Sequence, residues 1–119
     1  ISDRFADSTT AYQGAGRSID LETIELLHKI ATRGIWPDVT VILDLPVNEG
    51  LERIKALGRL DRLEQEPESF HERVRQYFLS LANRERERAR IVDGRRDPDV
   101  IAEEVWTVVK KFLPRFKSE

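Results

Sequence analysis

Two groups of residues in this 119-residue chain have the types and spacing needed to bind a phosphorylated small molecule. The first is an N-terminal string that contains Asp3, Arg4, Ser8, Thr9, Tyr12 and Gln13. Arginine presents a planar set of donors that suits phosphate, and aspartate can hold magnesium through water. At helical spacing, the hydroxyl, phenol and amide groups would face one small molecule. The alternative interpretation is a capping and turn segment with an Asp3–Arg4 ion pair, and the spacing alone favours neither.

The second group is a set of cations around a helix end and Gly58, namely Arg53, Lys55, Arg59 and Arg62. Phosphoryl transfer needs positive charge over the moving group, and a closing loop can deliver it. The alternative is an ordinary basic helix face paired with nearby glutamates, which the charge run alone favours. Arg95 and Arg96, just before the last predicted helix, are candidates for contact with a nucleotide base.

Other residue types that often carry chemistry are interpreted as structural. His28 and His71 have no partner at metal-ligand spacing, so both are predicted to lie at the surface. Trp36 and Trp106 stand among apolar neighbours and are predicted to pack against them. The alternating charges at residues 84–88 are predicted to form a solvated helix end.

Two segments have the pattern of buried strands. Residues 39–45 are β-branched and nearly continuously apolar between two prolines, which predicts a strand buried on both faces. Residues 90–93, closed by Gly94, are predicted to form a second, parallel strand. Asp44 and Asp93 lie at the ends of these strands, where they either bind an ion or cap the next turn.

Helical patterns surround the two strands. A short helix around residues 9–13 is predicted within an N-terminal loop. The next helix is capped by Asp20 and stops at Gly34, and another begins with Pro67 at its first helical position. The last helix has Asp97 as its cap, followed by Pro98. The residues predicted to face inward share helical spacing: Leu21, Ile24, Leu27 and Ile30 or Ala31; Val47, Leu51, Ile54 and Leu57; Phe70, Val74, Tyr77 and Leu81; Ile101, Val105, Val108 and Phe112.

Strands that alternate with helices predict an α/β fold with a parallel sheet. The composition, 39% apolar and 35% charged, suits one core. Two parallel strands make a poor sheet alone, so we expect the chain to be the C-terminal part of a single doubly wound domain. A net charge of −2 argues against bulk affinity for nucleic acid or membrane. The chain has no cysteine, which excludes disulfides and thiolate sites, and no apolar run approaches the roughly 20 residues of a membrane span.

Read together, these strings resemble the C-terminal part of bacterial-type thymidylate kinase along essentially the whole chain. The strings that carry the resemblance are Asp3-Arg-Phe with Ser8-Thr-Thr-Ala-Tyr-Gln-Gly14 and Gly16-Arg17, then Trp36-Pro-Asp-Val-Thr-Val-Ile-Leu-Asp44-Leu, and Gly58-Arg-Leu-Asp-Arg62-Leu-Glu. The family's Arg-x-Arg-x-x-Tyr pattern is echoed at Arg73, Arg75 and Tyr77 or Phe78.

The resemblance implies a P-loop kinase-like, three-layer α/β/α fold and magnesium-dependent transfer of the ATP γ-phosphoryl group to dTMP in a cytoplasmic homodimer. By that similarity Arg4 grips the dTMP phosphate, and Asp3 lies near magnesium. Ser8, Thr9 and Gln13 line the thymine, and Tyr12 lies under the deoxyribose. A lid at about residues 53–66 supplies catalytic cations from Arg53, Arg59 and Arg62. Arg53, Lys55, Arg95 and Arg96 are the implied ATP-binding residues.

The sequence departs from the family pattern at two points. The phosphate-binding Gly-x-x-x-x-Gly-Lys-[Ser/Thr] loop is absent from the 119 residues, and we expect it to precede this chain in a longer protein. Gly14-Ala-Gly16 lacks that spacing and is interpreted as a linker. In the lid, Leu57 stands where related enzymes often carry arginine, and we expect Arg59 to take its role.

Two other functions remain open from the sequence. One is a non-catalytic α/β fragment that serves as a dimerisation or interaction piece, with the missing phosphate loop as its support. The other is a nucleic-acid binder that uses residues 84–96. The interleaved glutamates and the negative net charge disfavour this last interpretation.

Overall fold

A computed structural model describes residues 1–16, 20–58 and 66–114 of the chain. The order of elements alternates between helix and strand as predicted. The elements are α1 (Ala6–Thr9), a π-helical segment (Thr10–Gly16), α2 (Leu21–Thr32), β1 (Thr40–Asp44), α3 (Val47–Ala56), α4 (Glu68–Arg84), β2 (Ala89–Asp93) and α5 (Pro98–Val109). None of the described helices has both the length and the apolar character needed to cross a bilayer.

The two strands pair in parallel, which confirms the predicted sheet. The prediction that the first strand is buried on both faces is wrong, because Ile42 is buried while Leu43 is 57% exposed. Their register runs from Thr40 opposite Ala89 to Asp44 opposite Asp93. The carboxyl ends of both strands therefore lie side by side, and each ends in an aspartate. Open α/β sheets bind ligands outside this edge, so the sheet positions one half of the candidate site.

The helix boundaries follow local capping rules with small corrections. The side chains of Asp20 and Asp97 accept hydrogen bonds from the backbone N–H groups of Glu22 and Asp99, as predicted. The helix α2 ends at Thr32 rather than at Gly34, because Arg33 already has a left-handed backbone with φ of 54°. Pro67 lies one residue before the first helical residue of α4 rather than at it.

The N-terminal helix is longer than predicted. The sequence indicated a loop with a short helix near residues 9–13, whereas helical structure runs from Ala6 to Gly16 and is π-helical from Thr10. Glycines and hydroxyl residues disfavour such an element locally. Packing against α4 overrides this preference, since Ala11 is buried in one cluster with Phe70 and Val74 of α4. Residues 6–16 are called the N-terminal segment below.

The core consists of two small clusters joined by α4. Ile42 and Ala89 of the sheet pack on Leu81 and Ala82, while Ala11, Phe70 and Val74 form the second cluster. Tyr77 and Phe78 pack against both. Three residues of the predicted α4 stripe, Phe70, Val74 and Leu81, are thus buried, which confirms that part of the prediction.

Several predicted core positions are exposed. On α2 only Ile24 of the predicted apolar stripe is buried, and Leu27 is 58% exposed. Trp36 and Trp106, predicted to pack, are 46% and 57% exposed. The predicted inward residues Ile101, Val105 and Val108 of α5 are half-buried, while Phe112, which follows α5, is exposed. Leu57, the residue just after α3, is also exposed. These faces have no cover within the part of the chain that the structure describes, because two strands and their helices give too little surface to bury them.

Candidate functional site

The N-terminal segment is preceded by an arginine with an unusual backbone. Arg4 has φ of 62°, a left-handed conformation that is uncommon outside glycine. The hydroxyl of Ser2 donates a hydrogen bond to the Arg4 carbonyl oxygen at 2.9 Å. The Arg4 guanidinium carbon lies 5.4 Å from the centre of the Tyr12 ring, within the range of a cation–π contact. Among the described residues no Asp3–Arg4 ion pair forms, so the capping alternative loses its main contact.

The predicted substrate residues share the solvent side of the N-terminal segment. Thr9 and Gln13 are exposed, and Ser8 and Tyr12 are half-buried. The hydroxyl, phenol and amide groups are thus at least partly accessible to solvent, and their convergence on one small molecule stays a prediction. A π-helix differs from the α-helix on which that prediction rested, and π-helical turns occur frequently at functional sites.

The inner side of the same segment carries buried polar residues. Thr10 Oγ1 lies 3.0 Å from His28 Nε2 on α2, and His28 is only 7% exposed. The prediction of a surface His28 is therefore wrong, because a single histidine in a helical pattern gives no sign of a partner 18 residues away. His71, also predicted at the surface, is half-buried, and its Nε2 is buried. Burial raises the pKa of the Tyr77 hydroxyl.

A second buried anchor joins the segment to the strands. The Asp7 carboxylate is 7% exposed and receives two hydrogen bonds from Arg88, at 2.7 and 3.1 Å. The Asp7 carboxylate raises the pKa of Arg88 above its ordinary value through these bonds. The predicted solvated helix end is therefore correct for residues 84–87, which are exposed, and wrong for Arg88.

At the carboxyl end of β1, Asp44 is bound by an arginine of α4. Arg75 Nε donates to Asp44 Oδ1 at 2.9 Å, and Arg75 Nη2 donates to Oδ2 at 3.2 Å. This bond raises the pKa of Arg75. Asp44 therefore fixes α4 against the strand rather than holding an ion by itself.

The carboxyl end of β2 forms a tight turn. Asp93 accepts hydrogen bonds from the backbone and side chain of Arg95, at 3.0 Å and 3.1 Å, and the side-chain bond lowers the pKa of Asp93. Gly94 donates its N–H to the Asp44 carbonyl oxygen at 2.8 Å. A Cβ on Gly94 would lie 3.0 Å from that oxygen, so this close approach of the two strand ends favours glycine.

These strand ends line an open cleft of about 360 Å³, called the strand-end cleft below. Its lining comprises Asp44, Pro46, Arg75, Ile91, Asp93, Arg95, Arg96 and Glu104. Arg96 Nη1 donates to Glu104 Oε2 at 3.0 Å, and both Arg95 and Arg96 remain exposed. The cleft can thus offer two cations to a phosphate or a flat base.

One cation of the predicted lid reaches the turn beside this cleft. Arg53 Nη1 on α3 donates to the Gly94 carbonyl oxygen at 3.1 Å, beside Arg95. Lys55 is exposed on the same helix, which breaks at Gly58 with φ of 66°. Arg59 and Arg62 lie outside the described residues. That Arg59 takes the role of the arginine that related enzymes often carry at the position of Leu57 therefore stays a prediction.

The predicted magnesium ligand, Asp3, is exposed. Among the described residues no ion pair engages its carboxylate. No group of three or more metal-ligating side chains occurs in the described part of the chain. Magnesium usually keeps several waters and takes one or two carboxylates plus substrate phosphates. The exposed Asp3 carboxylate, next to the exposed Arg4, fits this coordination pattern.

Sequence reasoning missed the residues that hold the site in place. Asp7, Thr10, His28, Arg75 and Arg88 were not singled out as site residues, yet they fix the N-terminal segment and the strand end. Their partners are distant in sequence, as with Asp7 and Arg88, which are 81 positions apart. The signals in the sequence were the placement of Asp7 and Thr10 within the N-terminal string and of Arg75 within the Arg-x-Arg-x-x-Tyr pattern.

Comparison with known proteins gives one consistent family. The thymidylate kinase family model matches residues 1–105. The chain is 45% identical over 116 residues to the thymidylate kinase of Thermomicrobium roseum, covering 97% of this chain and 55% of that protein. It is 50% identical over 113 residues to the thymidylate kinase of Carboxydothermus hydrogenoformans, covering 95% of this chain and 53% of that protein.

A solved structure agrees with these sequences. The crystal structure of thymidylate kinase from Ehrlichia chaffeensis matches with a TM-score of 0.64 and 29% identity, over 91% of this chain and 47% of that chain. The predicted α/β fold of P-loop kinase type, with its parallel sheet, is thereby confirmed. The chain spans about half the length of the curated relatives that it matches.

Proposed function

The chain belongs to the thymidylate kinase family, and from this premise we propose that it forms the lid-bearing part of an enzyme that phosphorylates dTMP. The reaction transfers the γ-phosphoryl group of ATP to dTMP and yields dTDP and ADP. The observation that carries the proposal is the presence of exposed arginines in two regions, Arg4 over Tyr12 before the N-terminal segment and Arg95 with Arg96 at the strand-end cleft.

The N-terminal segment is the proposed dTMP side. Arg4 binds the dTMP phosphate, because its guanidinium is exposed and held over Tyr12. Ser8, Thr9 and Gln13 supply hydrogen-bonding groups to the thymine. Tyr12 lies under the deoxyribose, where its ring crowds a ribose 2′-hydroxyl.

The strand-end cleft and the lid are the proposed ATP side. Arg53, Lys55, Arg95 and Arg96 bind ATP, and the first of these already reaches the turn at Gly94. Arg53, Arg59 and Arg62 place positive charge over the transferred group when the lid closes, and Arg4 stabilises the same group from the dTMP side. Magnesium, when bound with ATP, neutralises charge on the phosphates, and Asp3 is its proposed ligand through water.

We also propose a homodimer in the cytoplasm that engages neither nucleic acid nor membrane. The exposed apolar face of α2, at Leu26, Leu27 and Ile30, supports a protein partner.

The same face supports the alternative function, a non-catalytic dimerisation piece. The absence of a Gly-x-x-x-x-Gly-Lys string from the 119 residues also supports that alternative for this chain by itself. Light scattering that showed only monomers at micromolar concentration would contradict the dimer.

A hybrid enzyme tests the kinase proposal against the alternative. In the hybrid, this chain replaces the matching half of the Carboxydothermus hydrogenoformans relative, and the unmodified relative serves as the positive control. We expect ADP release with ATP, magnesium and dTMP in the roughly 1–100 per second range of kinases, and none from the 119 residues alone. A folded hybrid without turnover, beside an active control, would contradict the kinase proposal and favour the dimerisation piece.

The proposed role of Tyr12 has its own test in the hybrid. Replacing Tyr12 by Ala removes the ring, so we expect turnover of ribothymidine monophosphate to rise relative to dTMP. Replacing it by Phe keeps the ring and should keep the preference for dTMP. An unchanged ratio in the alanine variant would remove Tyr12 from sugar discrimination.

A further inference from the structure

One buried ion pair is left without a role by the proposed reaction. The Asp7 carboxylate points away from the solvent face of the N-terminal segment and is met by both terminal nitrogens of Arg88. The side chains of Asp7 and Arg88 are 10% and 18% exposed. An ion pair shielded to this degree and bonded at two points fixes relative orientation as well as distance.

Arg88 links this pair to the start of both strands. Its Nη1 also donates to Thr40 Oγ1 at 3.2 Å, and its carbonyl oxygen accepts from the Thr40 N–H at 2.7 Å. The guanidinium carbon lies 5.5 Å from the centre of the Trp36 ring. Because Arg88 immediately precedes β2 and Thr40 begins β1, Asp7 is tied to the most regular part of the fold.

The position of Asp7 makes this link relevant to ligand binding. Asp7 lies next to Ser8 and three residues after Arg4. Its side chain is on the buried side of the N-terminal segment, whereas Thr9 and Gln13 are on the exposed side. A rotation of the segment about its axis would move these exposed groups together. The segment's other polar anchor, Thr10 with His28, reaches α2 rather than the sheet. Only the Asp7–Arg88 bond therefore joins the inner polar side of the segment, as far as it is described, to the strands.

We propose that Asp7 and Arg88 are positioning residues that set the orientation of the N-terminal segment and thereby the affinity for the deoxynucleoside monophosphate. The proposal rests on the function proposed above. The pair touches no substrate and acts through Arg4, Ser8 and Tyr12. Its loss should weaken monophosphate binding and leave ATP binding nearly unchanged, because the strand-end cleft lies at the opposite end of the strands.

The test uses Asp7→Asn and Arg88→Lys in the hybrid enzyme. Asparagine keeps the shape of the aspartate, and lysine keeps the charge of Arg88 but cannot form the two-point bond. Glu85→Gln is the matched control, because Glu85 makes an exposed 2.7 Å ion pair with the same Arg88. We expect KM for dTMP to rise roughly tenfold or more in both pair variants. We expect KM for ATP to stay within about twofold of the parent hybrid, because only the residues around dTMP are misplaced. The Glu85→Gln control should have both KM values close to those of the parent hybrid.

Hydrogen exchange gives a readout that does not depend on turnover. Amides of residues 6–16 should exchange faster in Asp7→Asn and Arg88→Lys, while those of α5 keep their rate. This comparison tests the positioning role of Asp7 and Arg88 even if the hybrid enzyme is inactive. An inactive hybrid would count against the proposed kinase function but not against the positioning role. If Asp7→Asn fails to fold, Arg88→Lys carries both measurements. A parallel rise of both KM values, or uniformly faster exchange, would overturn the positioning role in favour of general stability.

Discussion

The N-terminal segment and the strand-end cleft both present arginines to solvent, but different interactions hold them in place. The segment is fixed from its inner side by buried polar pairs, Asp7 with Arg88 and Thr10 with His28. The cleft is fixed by more exposed ion pairs, Asp93 with Arg95 and Asp44 with Arg75, and by the backbone hydrogen bond from Gly94 to the Asp44 carbonyl oxygen. The first region therefore depends on buried side chains, and the second on exposed pairs and on the backbone geometry of its turn.

This difference has consequences for how each region responds to change. A buried ion pair loses its support as soon as one partner is removed, because the other charge stays away from water. An exposed pair is weak and is screened by salt. The N-terminal segment should therefore be sensitive to side chains far away in sequence, and the cleft should be sensitive to backbone substitutions at the turn.

The largest expected effect sharpens the comparison in the N-terminal region. Phe70 is 2% exposed, and its ring centre lies 6.1 Å from that of Tyr12. Phe70→Ala should lower the free energy of unfolding by about 3–5 kcal/mol, because it leaves a cavity beneath the segment. Urea unfolding of the hybrid enzyme measures this. Phe112→Ala, at an exposed phenylalanine, is the control and should lose clearly less; equal losses would show that the segment has no special dependence on burial.

The next effect tests the backbone geometry of the cleft. In Gly94→Ala the new Cβ would lie 3.0 Å from the Asp44 carbonyl oxygen. We expect the strand ends to shift apart, with a loss of about 1–3 kcal/mol in the free energy of unfolding, as for overpacked sites.

Gly50→Ala is the matched control for that substitution. Gly50 lies within α3, and its Cβ would meet only Leu45 Cδ2 at an ordinary 3.5 Å. Alanine in a helix interior is favoured over glycine by roughly 0.5–1 kcal/mol. The two alanine variants should therefore change stability in opposite directions, and a stabilising Gly94→Ala would contradict the close approach of the strand ends.

The smallest effect concerns acid stability at the cleft. Arg95 lowers the pKa of Asp93 in the folded protein, so this interaction contributes stability above the unfolded pKa. That contribution is lost as the pH falls below about 4, through the folded pKa. Asp93→Asn should therefore make the free energy of unfolding less dependent on pH in this range. Arg95→Gln should have the same effect; a pH dependence that survives both substitutions would assign it to other carboxylates.

The sequence predicted what local rules determine. The parallel strands follow from the β-branched run before Asp44, and the caps at Asp20 and Asp97 follow from residue type. The length of the N-terminal segment and the burial of His28 did not follow, because both depend on packing against α4 and α2. Trp36 was misjudged for a related reason: its apolar neighbours in sequence do not bury it in space. The predicted site residues that the structure describes are exposed or half-buried, whereas the residues that hold the N-terminal segment in place were hidden by distance along the chain.

The central claim, that the two regions serve two different substrates, is tested most directly by the KM values of two arginine variants in the hybrid enzyme. Arg4→Ala should raise KM for dTMP and Arg96→Ala should raise KM for ATP, each by roughly tenfold or more as a charge-assisted contact is lost. In each variant the KM for the other substrate should stay near that of the parent hybrid. If Arg4→Ala raised only KM for ATP, or if both variants raised both values equally, the division of the site into these two regions would be contradicted.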